Sequence, residues 1–161
     1  MNKKYNRARQ GLESQRSGAW FERYLVKLFS KKGWKLLEIK DGARIVAGGR
    51  AIRQKQPFDF IALSPDGLVY LFDAKSRSGK TRITPSMCTG GMKSGKPDST
   101  KMQYQQFLEI NQLHDNFRCG FVFLLKDTLE VRYVDVTGFQ NPMEESLLWG
   151  KIGYSLEIQF C

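Results

Sequence analysis

Between Ser17 and Gly33 apolar side chains return at helical spacing, at Phe21, Leu25, Leu28 and Phe29, and Gly33 is a natural stop. Ser17 offers an N-cap hydroxyl, so a helix is predicted there. Short apolar or alternating runs then predict strands at 34–40 (WKLLEIK), 57–63 (PFDFIAL) and 68–75 (LVYLFDAK). The intervening 41–55, rich in Gly and Arg, reads as a loop or a ragged strand. Helical spacing resumes over 101–115, strands follow at 119–126 and 130–136, and 147–160 is a short end piece, either an edge strand or a dimer contact. The order α-β-β-β-α-β-β predicts an α/β domain with a mixed central β-sheet flanked by helices.

Two stretches break this pattern. Residues 1–16 are polar and basic and read as an arm ahead of a single domain over 17–161. Residues 76–101 combine Gly, Pro, Ser and Thr with Arg77, Lys80, Arg82, Lys93, Lys96 and Lys101, and predict a long basic mobile loop. No internal repeat is visible. A length of 161 residues suits one core, and eleven Phe, six Tyr and three Trp are enough to build it.

Charge changes the picture more than composition does. Residues 1–101 carry 22 Lys/Arg against 8 Asp/Glu, whereas 102–161 carry 4 against 8. So uneven a division points one part of the molecule at a polyanion, nucleic acid before membrane, since no strongly basic amphipathic helix accompanies it. No apolar stretch is long enough to span a bilayer, and no apolar segment follows the basic start as in a secretory signal. Three scattered cysteines, Cys88, Cys119 and Cys161, then suggest a reducing cytoplasm. A zinc site is disfavoured, with His114 the only histidine and no ligand spacing among the cysteines.

The chemistry gathers on the hairpin. Ser64-Pro65-Asp66-Gly67 suits a type I turn with Gly67 in the left-handed bulge position. In that register Ser64 faces Leu68 and Asp59 falls opposite Asp73. Both carboxylates then share one face of the sheet with Lys75. Paired acids amid Phe58, Phe60, Ile61, Leu71 and Phe72 need a bridging cation or a shared proton. Mg²⁺, or Mn²⁺ in its place, is the natural oxygen-bound bridge. The plainer alternative is a solvated strand end with Lys75 as a surface partner.

Glu22 lies on the helix among Leu25, Val26 and Phe29, while Arg23, Lys27, Lys31 and Lys32 take the far side. A carboxylate there either snorkels, pairs with a buried arginine, or points at the acidic cluster on the sheet.

The pattern Pro57-Phe58-Asp59 … Asp73-Ala74-Lys75 resembles the signature of the PD-(D/E)XK (restriction-endonuclease-like) nucleases. The stretch Ser17–Leu25 is similar to the opening helix of the archaeal Holliday junction resolvases. Asn6-Arg7 … Gly11-Leu12-Glu13 and the segment 54–75 resemble the bacterial RecU resolvases. The likeness covers roughly residues 6–126. It implies a Mg²⁺-dependent endonuclease that resolves four-way junctions and leaves 5′-phosphates. Asp59 and Asp73, with Glu22 and the Ala74 carbonyl, would hold the metal, and Lys75 would position the attacking water. Those families carry His-Gln at the start of the next helix, where this chain has Tyr104-Gln105-Gln106. Gln106, in phase with Ile110 and Leu113, takes the glutamine role, with Gln105 its competitor.

Phosphate contacts would come from Arg7, Arg9 and Arg16 on the arm, Arg44, Arg50 and Arg53 in the Gly-rich stretch, and Lys80, Arg82, Lys93 and Lys96 in the long loop. A junction has two strands to cut about a near two-fold axis, so a C2 homodimer is the economical arrangement. The competing expectations are a nuclease of linear duplex and a non-catalytic nucleic-acid-binding protein.

Overall fold

Alternation along one central strand divides the molecule in two. In Val69–Arg77 (β5), Tyr70 and Phe72 enter one apolar cluster and Leu71 enters the other. The computed structural model describes residues 18–39, 44–47, 50–53 and 57–152. A helix over 18–31 (α1) covers the first face through Phe21, Leu25 and Phe29. It ends at Gly33, whose φ of 70° is left-handed, and Trp34 N–H returns to the Phe29 carbonyl at 3.0 Å. Ser17, the expected N-cap, lies outside the described residues.

After α1 come Lys35–Glu38 (β1), a two-stranded ladder of Arg44–Ala47 (β2) with Arg50–Arg53 (β3), Phe60–Leu63 (β4) and then β5. The expected loop over 76–101 is largely structured. It carries the end of β5, a short helix Pro85–Thr89 (α2), a hairpin of Met92–Lys93 (β6) and Lys96–Pro97 (β7), and the first turn of Ser99–Asn111 (α3). Cys88 and Ile83 anchor it beneath the sheet, beside Phe107 of α3. Its Gly and Pro residues mark turns and helix ends rather than an unstructured segment.

Phe117–Leu125 (β8) and Glu130–Asp135 (β9) follow, then Pro142–Glu145 (α4) and Leu147–Lys151 (β10). The six-stranded sheet runs β1-β4-β5-β8-β9-β10, parallel only between β5 and β8. The parallel pair requires the long crossover through α2 and α3, which places those helices on the face opposite α1. The observed class is therefore α/β with a mixed sheet between helices.

Over its described residues the end piece is an edge strand, β10, and it supplies the hub of the first core. Pairing with β9 shifts register between Leu148 and Gly150, so Trp149 is an extra, bulged residue. Its ring stacks on Tyr133 at 4.7 Å between centroids and meets Phe29 edge-on at 5.2 Å. Among the described residues no helix is long and apolar enough to cross a membrane.

Candidate active site

The turn after β4 sets the site's register. Gly67 has φ of +87° and donates to the Ser64 carbonyl at 3.1 Å, while Leu68 N–H binds the Ser64 hydroxyl at 3.0 Å. The ladder then pairs Leu63 with Val69 and Phe60 with Phe72, the register that the Pro-Asp-Gly turn predicts. Two-residue alternation carries Asp73 and Lys75 to the same face as Leu71, toward α3.

Asp59 departs from the expected direct pairing. The regular ladder stops at Phe60, and Asp59 N–H binds the Phe72 carbonyl at 3.0 Å, one residue out of step. Its own carbonyl accepts from Ile39 N–H at 2.7 Å, and its Oδ2 accepts from Ala74 N–H at 3.1 Å. The carboxylate thus closes the end of the hairpin in place of a backbone group. It still neighbours Asp73: burial, then the Asp73 charge, push the Asp59 carboxyl up to about 7, against the opposing pull of the Ala74 hydrogen bond.

Asp73 itself is buried and fully engaged. Its Oδ2 lies 2.6 Å from Lys75 Nζ, and its Oδ1 accepts from Gln103 Nε2 at 3.1 Å. Lys75 Nζ also donates to Gln103 Oε1 at 3.2 Å, and sits 5.0 Å from the centre of the Phe121 ring. Three side chains from two elements therefore form a closed ring. Gln103 ties it to the segment before β4 by donating to the Pro57 carbonyl at 3.1 Å.

The glutamine assignment is corrected. Gln105 and Gln106 are both exposed, and Gln103 is the buried amide at the cluster. The inward face of α3 runs through Gln103 and Phe107 and on to the partly buried Ile110, and Gln106 lies off it. Leu113 lies beyond the helix and is 73% exposed, so it was no guide to the buried phase. The legible signal was Phe107, the one aromatic a full turn after a glutamine.

Glu22 is half-buried at the margin of the apolar face of α1, because Val26 beside it is 47% exposed. Burial, then the charges of Glu38 and Asp73, raise its carboxyl above the ordinary value. Glu22 thus feels the charge of Asp73, and no hydrogen bond joins the two. Glu38, exposed at the end of β1, lies near enough to Glu22 to raise it further.

Of the expected phosphate contacts, Lys80, Arg82, Lys93 and Lys96 are exposed on the crossover. Arg44, Arg50 and Arg53 occupy the β2–β3 ladder, where Arg44 pairs with Arg53 and Ala47 with Arg50. Arg7, Arg9 and Arg16 lie outside the described residues.

The donor set suits a hard cation in part. Among the described residues no three Asp, Glu, His or Cys side chains converge closely enough to enclose an ion. Mg²⁺, however, keeps several waters and takes only one or two protein carboxylates. Asp59 and Asp73 are such a pair, and their mutual repulsion is what a cation relieves. The adjoining ammonium and amide make the cluster able to bind a phosphate and to orient water beside it. No protein-family model matches the chain, and no curated protein matches it.

Proposed function

We propose that this chain is a divalent-metal-dependent DNA endonuclease of the PD-(D/E)XK type, acting on four-way junctions as a C2 homodimer. The observation that supports it is the ring of Asp73, Lys75 and Gln103 set beside Asp59, polar groups held against the apolar cluster between α3 and the sheet. Buried ion pairs add little to stability for their desolvation cost, so such a ring has a stronger rationale in chemistry than in folding.

Asp59 and Asp73, with the Ala74 carbonyl, would hold Mg²⁺ or Mn²⁺, and Glu22, expected as a further ligand, would add negative charge nearby. Once bound, such an ion lowers the pKa of water and offsets charge on the scissile phosphate. Lys75 meets the attacking water and the phosphate oxygens, its ammonium aimed by Asp73 and Gln103. Gln103 contacts both the Lys75 head and the Asp73 carboxylate, so each is held in place. The water oxygen attacks phosphorus and the P–O3′ bond breaks, leaving a 5′-phosphate and a 3′-hydroxyl. The excess of Lys and Arg over residues 1–101 supplies positive charge that attracts a DNA backbone.

The test is cleavage of an immobile synthetic four-way junction and of its matching linear duplex, with and without Mg²⁺, by the native chain and by Asp73→Asn. Paired nicks confined to the junction, lost without metal and in the variant, are expected. Cutting of both DNAs would keep the nuclease and discard junction selectivity. Tight binding without cutting under any divalent ion would leave a binding protein.

A further inference from the structure

The crossover carries a feature that neither the core nor the acidic cluster uses. Between Ala74 and Leu108 the chain has seven Lys/Arg and a single acid, Asp98. That acid is turned inward: Asp98 Oδ1 accepts from Lys101 N–H at 2.8 Å and Oδ2 from Gly91 N–H at 2.9 Å. The β6–β7 hairpin rises from this anchor. Gly90 is required at its root, since a Cβ there would sit 2.4 Å from both Asp98 Oδ1 and Lys101 N. At the tip Ser94 and Gly95 both have positive φ, 52° and 76°, the geometry of a tight two-residue turn.

The hairpin is therefore fixed at both ends, and it has two faces. Lys93 is directly paired with Lys96, and Met92 with Pro97. Like charges opposite one another destabilise a ladder, and among the described residues neither lysine has an acidic partner. Met92 is 57% exposed, and its sulfur accepts from Lys101 Nζ at 3.7 Å, which draws a third ammonium to the base of the hairpin.

Position completes the argument. The hairpin leads into α3 through Asp98, and Gln103 lies five residues further on. At 1.5 Å of rise per residue, Asp98 at the hairpin root and Gln103 are roughly 7 Å apart along the α3 axis, so the hairpin joins α3 at the end that carries the cluster. We propose that the β6–β7 hairpin is a preformed phosphate clamp, in which Lys93 and Lys96 together grip the DNA backbone flanking the Lys75–Asp73–Gln103 cluster. A ladder that fixes the backbone beneath both lysines lets their ammonium groups reach neighbouring backbone phosphates without ordering a loop on binding.

This inference deepens the nuclease reading and rests on DNA as the partner, but binding alone tests it. Junction and linear duplex affinities are measured against salt concentration in Ca²⁺, for the native chain, Lys93→Ala/Lys96→Ala, and Lys31→Ala/Lys32→Ala. The last removes equal charge from the exposed end of α1. The clamp predicts that the hairpin variant lowers the slope of log K against log salt by about 2, from roughly 0.9 per phosphate contact. It also predicts affinity about tenfold weaker near 0.1 M salt, while the α1 variant and Lys93→Arg/Lys96→Arg keep the native slope. An unchanged slope, an equal loss in the α1 variant, or no DNA binding by the native chain would overturn it. Cleavage in Mg²⁺ is scored separately: a native chain that never cuts, yet loses slope with the hairpin lysines, sinks the nuclease and keeps the clamp.

Discussion

Gln103 and Asp73 lie thirty residues apart in the chain and meet at 3.1 Å, Nε2 donating to Oδ1 across the interface between α3 and the sheet. The contact binds the crossover helix to the strand that carries Lys75. Its partner acceptors, Asp73 and the Pro57 carbonyl, stand on either side of the β4–β5 hairpin.

Gln103→Ala is expected to lower kcat by about 10²-fold, because an unguided Lys75 is misplaced by an ångström or so. The change also strands two acceptors, costing roughly 1–3 kcal/mol of stability. Gln106→Ala, on an exposed position, should leave both within error. Steady-state cleavage and urea unfolding of the two variants check this. Equal behaviour of the pair would remove Gln103 from the site.

Asp59 makes stability depend on pH with a definite sign. Its folded pKa of about 7 lies above the ordinary 3.8, so between those values the folded chain holds a proton that the unfolded chain has released. Stability from this group is complete below the ordinary value and is lost as pH rises through about 7, by at most ~1.4 kcal/mol per pH unit. Urea midpoints without divalent ions should therefore fall more from pH 5 to pH 8 in the native chain than in Asp59→Asn. Mg²⁺ should recover part of that loss at pH 8 in the native chain only.

Gly120 of β8 pairs with Asp135 of β9, and a Cβ there would lie 2.0 Å from the Val134 carbonyl oxygen. Backbone, not a pliable side chain, blocks the space. Gly120→Ala should cost at least the ~1–3 kcal/mol typical of overpacking, read from the urea midpoint. Gly79→Ala, with open space but positive φ, should cost less.

Burial pushes the Cys88 and Cys119 thiols up to about 12, so neither offers thiolate at neutral pH. In a Cys161→Ser chain, an aromatic disulfide reagent should release no thiolate until denaturant is added, then two equivalents. Rapid labelling of the folded chain would show that the face holding these thiols opens readily.

Much of this arrangement is legible in the chain itself because it rests on local chemistry. The Ser-Pro-Asp-Gly turn sets the β4–β5 register within five residues, and strand alternation then places Asp73 and Lys75 on one face. The helical spacing of Phe21, Leu25 and Phe29 with Gly33 marks α1 and its buried side for the same reason. The charge division is a property of composition and needs no fold.

What only the tertiary structure decided concerns which surfaces cover one another. Several α3 residues had helical phase partners, and packing under Phe121 selected Gln103 and Phe107. Asp59 left the ladder, and Ile39 just past β1 and Ala74 within β5 satisfy its carbonyl and its carboxylate. Residues 76–101 hold their shape through Ile83 and Cys88 beneath a sheet assembled from distant segments, and Trp149 found its aromatic hub through a bulge set by β9. A turn or a helical stripe is encoded by neighbours in sequence. The burial of an amide, an acid or an indole is decided by whatever folds over it, and that partner lies elsewhere in the chain.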